Sequence, residues 1–340
     1  MMAPDSSSSL FTIQDIVGTS EPITQLKEKI LKIASSRSNV LIYGETGTGK
    51  ELVAQSIHSH SKRSQEAFLA INCAAIPHSL LESIFFGTTK GSFTGAVDSK
   101  GMFERANGGT VFLDEINSMD LSLQAKVLRV IEEGKVTRVG GTTQIPIDVR
   151  IISTTNQKPK ISVMNGTLRQ DLYYRISTLQ IELPPLRKRK EDIDILTEYF
   201  IEQYNKETGK QVQGLDSQVR SAFHSLDWPG NVRELKNAIE SAFSYVQSPL
   251  ITLKDIPDNL LEETDNDAWA FDESEECIPS FNVDMHLPLR EAMESFEREY
   301  IFFHAEKAQS LVDLARRLSI SKQLLHHKIK KYNLTFHFTK

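Results

Sequence analysis

The chain has 340 residues, 39% of them hydrophobic and 25% charged, with a net charge of −6 and only two cysteines. That length suggests two or three domains of an ordinary globular protein. No stretch approaches the roughly 18 apolar residues of a membrane span, so no membrane partner is expected. The Ser-rich start, residues 1–10, lacks the basic and apolar segments of a secretory signal. Cys73 and Cys277 lie far apart and outside any metal-ligand spacing, which points to a reduced, cytoplasmic setting. Residues 307–340 hold eight Lys or Arg and one acid, Asp313. A basic tip on an acidic body suggests a nucleic-acid module, although a solvated basic helix has the same composition.

In chain order, residues 40–43 read as a buried strand, followed by Gly44-Glu45-Thr46-Gly47-Thr48-Gly49-Lys50-Glu51 and then a helical run, residues 52–57. The pattern G-x-x-x-x-G-K between strand and helix is a phosphate cradle. Its glycines let backbone N–H groups turn inward, the helix N-terminus adds its positive end, and Lys50 adds a charge. Ser or Thr normally follows the lysine and holds Mg²⁺ with its hydroxyl; here Glu51 stands there.

Residues 68–71, 110–113, 149–153 and 179–183 read as four further strands, with helical patterns such as 123–133 between them. Such alternation implies a parallel sheet covered by helices. The third strand ends in Asp114-Glu115. Behind a phosphate cradle this pair suits an Asp that holds Mg²⁺ and a Glu that activates water; alone, it is equally a solvated strand end. Asn156 ends the fourth strand, where an amide would orient that water, though Asn is also a common turn residue. Arg169 and Arg175, six apart, do not share a helical face. A transferring phosphoryl group gains from an arginine delivered in trans; plain surface arginines are the alternative.

From Glu191 the pattern is all-helical, over residues 192–205, 217–226 and 231–246. Residues 262–276 contain eight acids and no base, which reads as a flexible linker. Beyond it, Leu289, Met293, Phe296, Tyr300 and Phe303 form one helical stripe, suited either to a dimer or to packing within one subunit. Leu311, Leu314, Ala315 and Leu318 fall at i, i+3, i+4, i+7. Ser319-Ile320-Ser321 is a turn with Ser321 as N-cap for the next helix. There Leu325 and Ile329 face inward, while Lys322, Gln323, His326, His327 and Lys330 share the other face. This is a helix-turn-helix pattern. Gln323 suits a base edge, and Lys322, Lys328, Lys330 and Lys331 suit phosphates.

Together these residues carry a family resemblance. Glu51 after the lysine, Asn72-Cys73-Ala74-Ala75, Gly91-Ser92-Phe93-Thr94-Gly95-Ala96, residues 106–115, residues 169–175 and Trp228-Pro229-Gly230-Asn231-Val232-Arg233-Glu234-Leu235 resemble the bacterial enhancer-binding proteins, the sigma-54-dependent AAA+ transcription activators. The resemblance runs from about Ile16 to Leu261 and resumes near Leu289. It implies an α/β fold, an AAA+ P-loop NTPase with a parallel sheet, an α-helical lid and a small all-α helix-turn-helix domain. The expected division is a disordered N-terminus at 1–10, the AAA+ α/β subdomain at 11–186, the lid at 187–261, an acidic linker at 262–286 and a Fis-type module at 287–340. The implied activity is hydrolysis of ATP, with Mg²⁺, to remodel the sigma-54 RNA polymerase holoenzyme and open promoters. Double-stranded DNA at upstream activating sites would tether the protein.

Site roles follow from the same resemblance. Gly44, Glu45, Thr46, Gly47, Thr48, Gly49, Lys50, Glu51, Asn156 and Arg233 would bind the nucleotide, and Asp114 would hold Mg²⁺. Lys50, Asp114, Glu115, Asn72, Arg169 and Arg175 would serve catalysis, Asn72 sensing the γ-phosphate through Glu115. Arg169 and Arg175 would reach a neighbouring subunit's ATP, so dimers would build a hexameric ring. Gly91, Ser92, Phe93, Thr94, Gly95 and Ala96 would contact sigma-54. An aromatic flanked by glycines in a loop is an exposed probe; a core-anchoring Phe is the alternative reading of the residue alone. Ser92 replaces the family's usual Ala, Thr88-Thr89 its usual His-Glu, and Ser319 its usual turn glycine. Residues 87–91 and 114–118 also resemble activators of arginine catabolism in Gram-positive bacteria.

Two other functions compete. A DNA-binding regulator whose ATPase body only assembles would have a spoiled loop or acidic pair, and both are intact. An AAA+ replication initiator or helicase loader gives no reason for the loop from Gly91 to Ala96. About fifteen residues precede Ile16, too few for the family's usual sensory domain, so either the chain is a fragment or control comes from another protein or from expression level.

Overall fold

The computed structural model describes residues 10–92, 95–257, 260, 289–306, 308, 310–318, 320–332 and 334. The expected disordered start up to residue 9, Phe93, Thr94, the linker at 262–286 and Ser319 lie outside them. The chain divides into two compact units, residues 1–267 and 268–340.

In the first unit, β1 (Val40–Tyr43), β2 (Phe68–Asn72), β3 (Thr110–Asp114), β4 (Arg150–Thr155) and β5 (Leu179–Glu182) form the central sheet. Every pairing is parallel, in the order β2-β3-β4-β1-β5. Alternate residues feed two cores. Val40, Ile42, Phe112, Ile152 and Ile181 pack with α1 (Glu21–Ala34) and α2 (Lys50–Ser59). Leu41, Val111, Leu113 and Ile151 join the other core, where α3 (His78–Phe86), α4 (Met102–Arg105), α5 (Leu121–Glu133), α6 (Pro159–Met164) and α7 (Gln170–Ile176) cover the sheet. Burial on both faces explains why β1 and β3 read as unbroken apolar runs. Arg150 is nonetheless buried, donating to the carbonyls of Ile33, Ala34 and Ser38 at 2.9–3.2 Å, which satisfies the C-terminal end of α1.

This strand order positions the chemistry. The chain leaves β1 for the far edge at β2, then returns through β3 and β4 to fill the gap. Ligands of open α/β sheets bind beyond the carboxyl ends of the strands at such a switch point. The carboxyl ends of β1 and β3 are separated by one strand, about 10 Å at ordinary strand spacing.

The lid follows β5: α8 (Asp192–Thr208), α9 (Ser217–Ser225) and α10 (Asn231–Tyr245) share a core that includes Ile193, Phe223, Trp228 and Leu235. The helix α8 runs three residues past the expected 205 and stops where Gly209 takes φ 73°. The helix α2 begins at Lys50 rather than Leu52, because Gly49 at φ 100° is its N-cap.

In the second unit, α11 (Leu289–Glu306), α12 (Leu311–Arg317) and α13 (Lys322–Tyr332) enclose Ile301, Ala305, Leu314, Ala315 and Leu325. Ser321 Oγ accepts from Leu324 N at 3.2 Å, the expected N-cap bond for α13. Among the described residues, no helix is long and apolar enough to cross a membrane.

Candidate active site

The cradle is a left-handed loop seated against the lid. Gly47 lies at φ 79°, and a Cβ there would come within 2.1 Å of Gly230 O, so the lid backbone occupies the space. Arg233 N donates to Gly47 O at 3.3 Å. Gly49 has nothing within 4 Å of its missing Cβ, leaving the mouth of α2 open. Thr48 Oγ1 donates to Glu45 O at 2.8 Å. Lys50 is buried, and its Nζ donates to Gly44 O at 2.8 Å and Glu45 O at 3.0 Å. Burial draws the lysine pKa down, while the charges of Asp114 and Glu115 push it back up.

The end of β3 supplies the acids. Thr154 Oγ1 donates to Asp114 Oδ1 at 2.6 Å, and Asn72 Nδ2 to Asp114 Oδ2 at 2.8 Å. Asn72 Oδ1 accepts from Ala74 N and Ala75 N at 2.9 and 3.1 Å, so its amide is fixed. The structure thus couples Asn72 to Asp114, where Glu115 was the expected partner. Glu115 itself sits at φ 52°, the left-handed region, with its N–H donated to Thr154 Oγ1 at 2.9 Å. Asn156 Oδ1 accepts from Asn117 Nδ2 at 3.4 Å. Behind Asn72, burial and the neighbouring acids push the Cys73 thiol up to about 12. Thr154 was missed at the sequence level; the available signal was a hydroxyl at the end of the strand next to Asp114.

The lid closes a cavity of about 340 Å³ lined by Ile16, Val17, Gly49, Leu52, Tyr199 and Arg189, among others. Arg189 is buried; its Nη2 reaches Thr48 O at 3.4 Å, and its Nε has no hydrogen-bond partner among the described residues. Arg233 is exposed at the start of α10. Two cradle carboxylates point elsewhere: Glu45 accepts from Arg187 Nη2 and Nη1 at 2.5 and 2.7 Å, and Glu51 from Gln55 Nε2 at 3.1 Å.

Arg169 caps α7 and pairs with Asp171 through two bonds of 3.0 and 2.7 Å. Arg175 is exposed on the last turn of α7, its Nη2 donating to Ile131 O at 3.3 Å. None of these three bonds goes to the cradle of its own chain. The loop from Gly91 to Ala96 is closed by Gly91 N donating to Ala96 O at 3.4 Å, with Gly91 and Gly95 both at φ 85°. At its base Thr88 Oγ1 donates to Val97 O at 2.6 Å, and Thr89 N and Oγ1 both donate to Val139 O at 3.1 Å.

In the second unit, Lys322, Gln323, His326, His327 and Lys330 are exposed. Two lysines expected at phosphates form ion pairs within the unit. Lys328 is half-buried and donates to Glu297, and Lys331 pairs with Glu294 at 3.1 Å. On α11, Met293, Phe296 and Tyr300 form an exposed apolar stripe, while Phe303 is half-buried.

These residues fit a nucleotide with a divalent cation. The open glycine mouth and Lys50 suit phosphates, Arg189 lines the adjoining cavity, and Asp114 presents an oriented carboxylate. Among the described residues no cluster of three or more His, Cys, Asp or Glu is placed to hold a metal ion. A Mg²⁺ shared with phosphates needs only one or two protein carboxylates.

Residues 16–182 match the family model of the sigma-54 interaction domain, and residues 187–270 that of an AAA+ ATPase lid domain. The transcriptional activator RocR of Bacillus subtilis (strain 168) is 44% identical over 331 residues, which cover 96% of this chain and 70% of RocR. A signal-transduction and transcriptional-control protein of Clostridium beijerinckii is 40% identical over 332 residues, 95% of this chain and 49% of that protein. The crystal structure of NtrX from Brucella abortus in complex with ATP aligns with a TM-score of 0.68 at 33% identity, covering 94% of this chain and 69% of that one.

Proposed function

The chain belongs to the sigma-54-dependent AAA+ transcription activators, and we propose that it hydrolyses ATP to remodel the sigma-54 RNA polymerase holoenzyme in the cytoplasm and open promoters. One observation carries the reading furthest: the glycine cradle with Lys50 and the Asn72–Asp114–Thr154 network stand at the carboxyl ends of strands of one sheet.

In this reading the cradle N–H groups and Lys50 bind the phosphates, and Asp114 holds Mg²⁺. The cation, when bound, neutralises charge on the phosphate oxygens. Glu115 orients and deprotonates the attacking water, its backbone pinned by Thr154. Arg233 reaches the phosphates from the lid. Exposed Arg175 and half-exposed Arg169 engage a neighbouring subunit's phosphates, which calls for a hexameric ring. The loop with Phe93 is the contact for sigma-54. Lys322, Gln323, His326, His327 and Lys330 face DNA, and the exposed stripe of α11 supports a dimer as the unit that binds two half-sites.

The test is open-complex formation on a sigma-54 promoter with purified holoenzyme. Opening with ATP, and none with a non-hydrolysable analogue, is the expected result. Hydrolysis without opening would leave a DNA-bound ATPase and turn attention to Ser92, Thr88 and Thr89. Phe93→Ala should keep hydrolysis and lose opening; retained opening would remove the loop from the mechanism.

A further inference from the structure

Glu45 holds the second position of the cradle, where a side chain is naturally assigned to the nucleotide. Its carboxylate instead accepts both terminal nitrogens of Arg187, at 2.5 and 2.7 Å, and the Asn231 amide at 3.3 Å. Arg187 belongs to the single turn Leu186–Lys188 that leads from β5 into the lid, and Asn231 is the first residue of α10. Cradle, hinge and lid helix therefore meet on one carboxylate.

Asn231 completes the junction from a fully buried position. Its Oδ1 accepts from Leu186 N at 2.8 Å, and its Nδ2 donates to Thr46 O at 3.0 Å and Pro229 O at 3.2 Å. It does so at φ 54°, a conformation Asn tolerates better than most residues. Two residues further on, Arg233 N closes on Gly47 O. The mechanism described above has no use for the Glu45 side chain.

We propose that Glu45 is a positioning residue: its fork with Arg187 and its bond to Asn231 couple the lid to the cradle and set the path of residues 44–49 and the aim of Arg233 before nucleotide binds. A planar guanidinium–carboxylate fork fixes orientation as well as distance. Both partners of the fork are partly exposed, so it contributes little to global folding. What it supplies is alignment, and alignment of a binding loop shows in affinity.

The inference rests on the cradle being the ATP site, and the experiment separates the two. Steady-state ATPase and binding of a fluorescent ATP analogue are measured on the full chain for wild type, Glu45→Gln, Arg187→Ala, Arg187→Lys and the Glu45→Gln/Arg187→Ala double variant. Glu45→Gln and Arg187→Ala should each raise KM and the analogue Kd about 10-fold, with kcat within about twofold. The double variant should match the singles, because the partners act as one unit. Arg187→Lys keeps the charge and loses the fork, and should fall between. An unchanged KM in Glu45→Gln, a loss confined to kcat, or additive effects in the double variant would overturn the proposal. Should Glu45→Gln melt early, Arg187→Lys carries the test, and wild-type KM in that folded variant overturns it. No saturable hydrolysis by the wild type would overturn the ATP-site reading instead.

Discussion

Thr154 and Asp114 share a short bond: the threonine hydroxyl donates to the carboxylate at 2.6 Å while accepting the Glu115 N–H at 2.9 Å. One side chain on β4 therefore orders both acids at the end of β3, and Asn72 secures the second Asp114 oxygen from β2. Thr154→Val keeps the branched shape that suits a strand and removes both bonds. We expect apparent Mg²⁺ affinity to fall by about 10–100-fold, the usual cost of losing a group that orients a metal ligand. ATPase titrated with Mg²⁺ reads this directly. An unchanged half-saturation would mean that Asn72 alone suffices to hold Asp114.

Glu115 is the other acid, and its φ of 52° is a strained position for a non-glycine residue. Strain at this point makes sense if it turns the carboxylate away from the sheet toward the reacting phosphate. Glu115→Ala should bind ATP and hydrolyse it roughly 10²–10⁴-fold more slowly, the range for loss of a general base. Binding of a labelled nucleotide and phosphate release, measured side by side, check it. Wild-type turnover in the variant would remove Glu115 from the chemistry.

The parts of this site that were legible in the sequence are those carried by a local pattern. Gly44 to Lys50 is a contiguous motif whose glycines announce left-handed turns, and Asp114 and Glu115 end an apolar run that reads as a strand. The strands β1 and β3 were readable because burial on both faces makes each a continuous hydrophobic stretch, whereas the edge strand β5 showed as the alternation Leu179-Gln180-Ile181-Glu182. What stayed hidden depends on strand order. Thr154 meets Asp114 only because β4 lies beside β3, and Arg187 meets Glu45 across 142 residues of chain. The pairing of Lys328 with Glu297 was hidden for a related reason. Helical spacing shows which face a lysine occupies, but Glu297 on α11 decides whether that face is solvent.

Cys73 offers a test of burial behind the acids. Its thiol is pushed up to about 12 by burial and by the nearby charges of Asp114 and Glu115. An unfolded cysteine titrates near 8.5, so the folded state holds its proton far more tightly. The stabilisation this represents is complete below about pH 8.5 and is lost as pH rises toward the folded value. At pH 9 the native protein should leave Cys73 unalkylated, while denaturant should make the same residue react rapidly, read by mass spectrometry of the peptide. Fast native alkylation would show that the segment after β2 opens readily.

Lys330 and Lys328 sit two residues apart on α13 and should behave differently. Lys330 is exposed on the face with Lys322 and Gln323, whereas Lys328 is half-buried against Glu297, whose carboxyl it holds below its usual range. Each lysine on a DNA phosphate releases roughly one counterion, so Lys330→Ala should weaken duplex binding and reduce the slope of log affinity against log salt by about 0.9. Lys328→Ala should leave that slope unchanged and instead lower the melting temperature of the C-terminal unit, because Glu297 loses its cation. Anisotropy titrations of a labelled duplex at several salt concentrations, with thermal melts of the same variants, distinguish the two. Equal slope changes for both lysines would place Lys328 on DNA and require its pairing with Glu297 to break on binding.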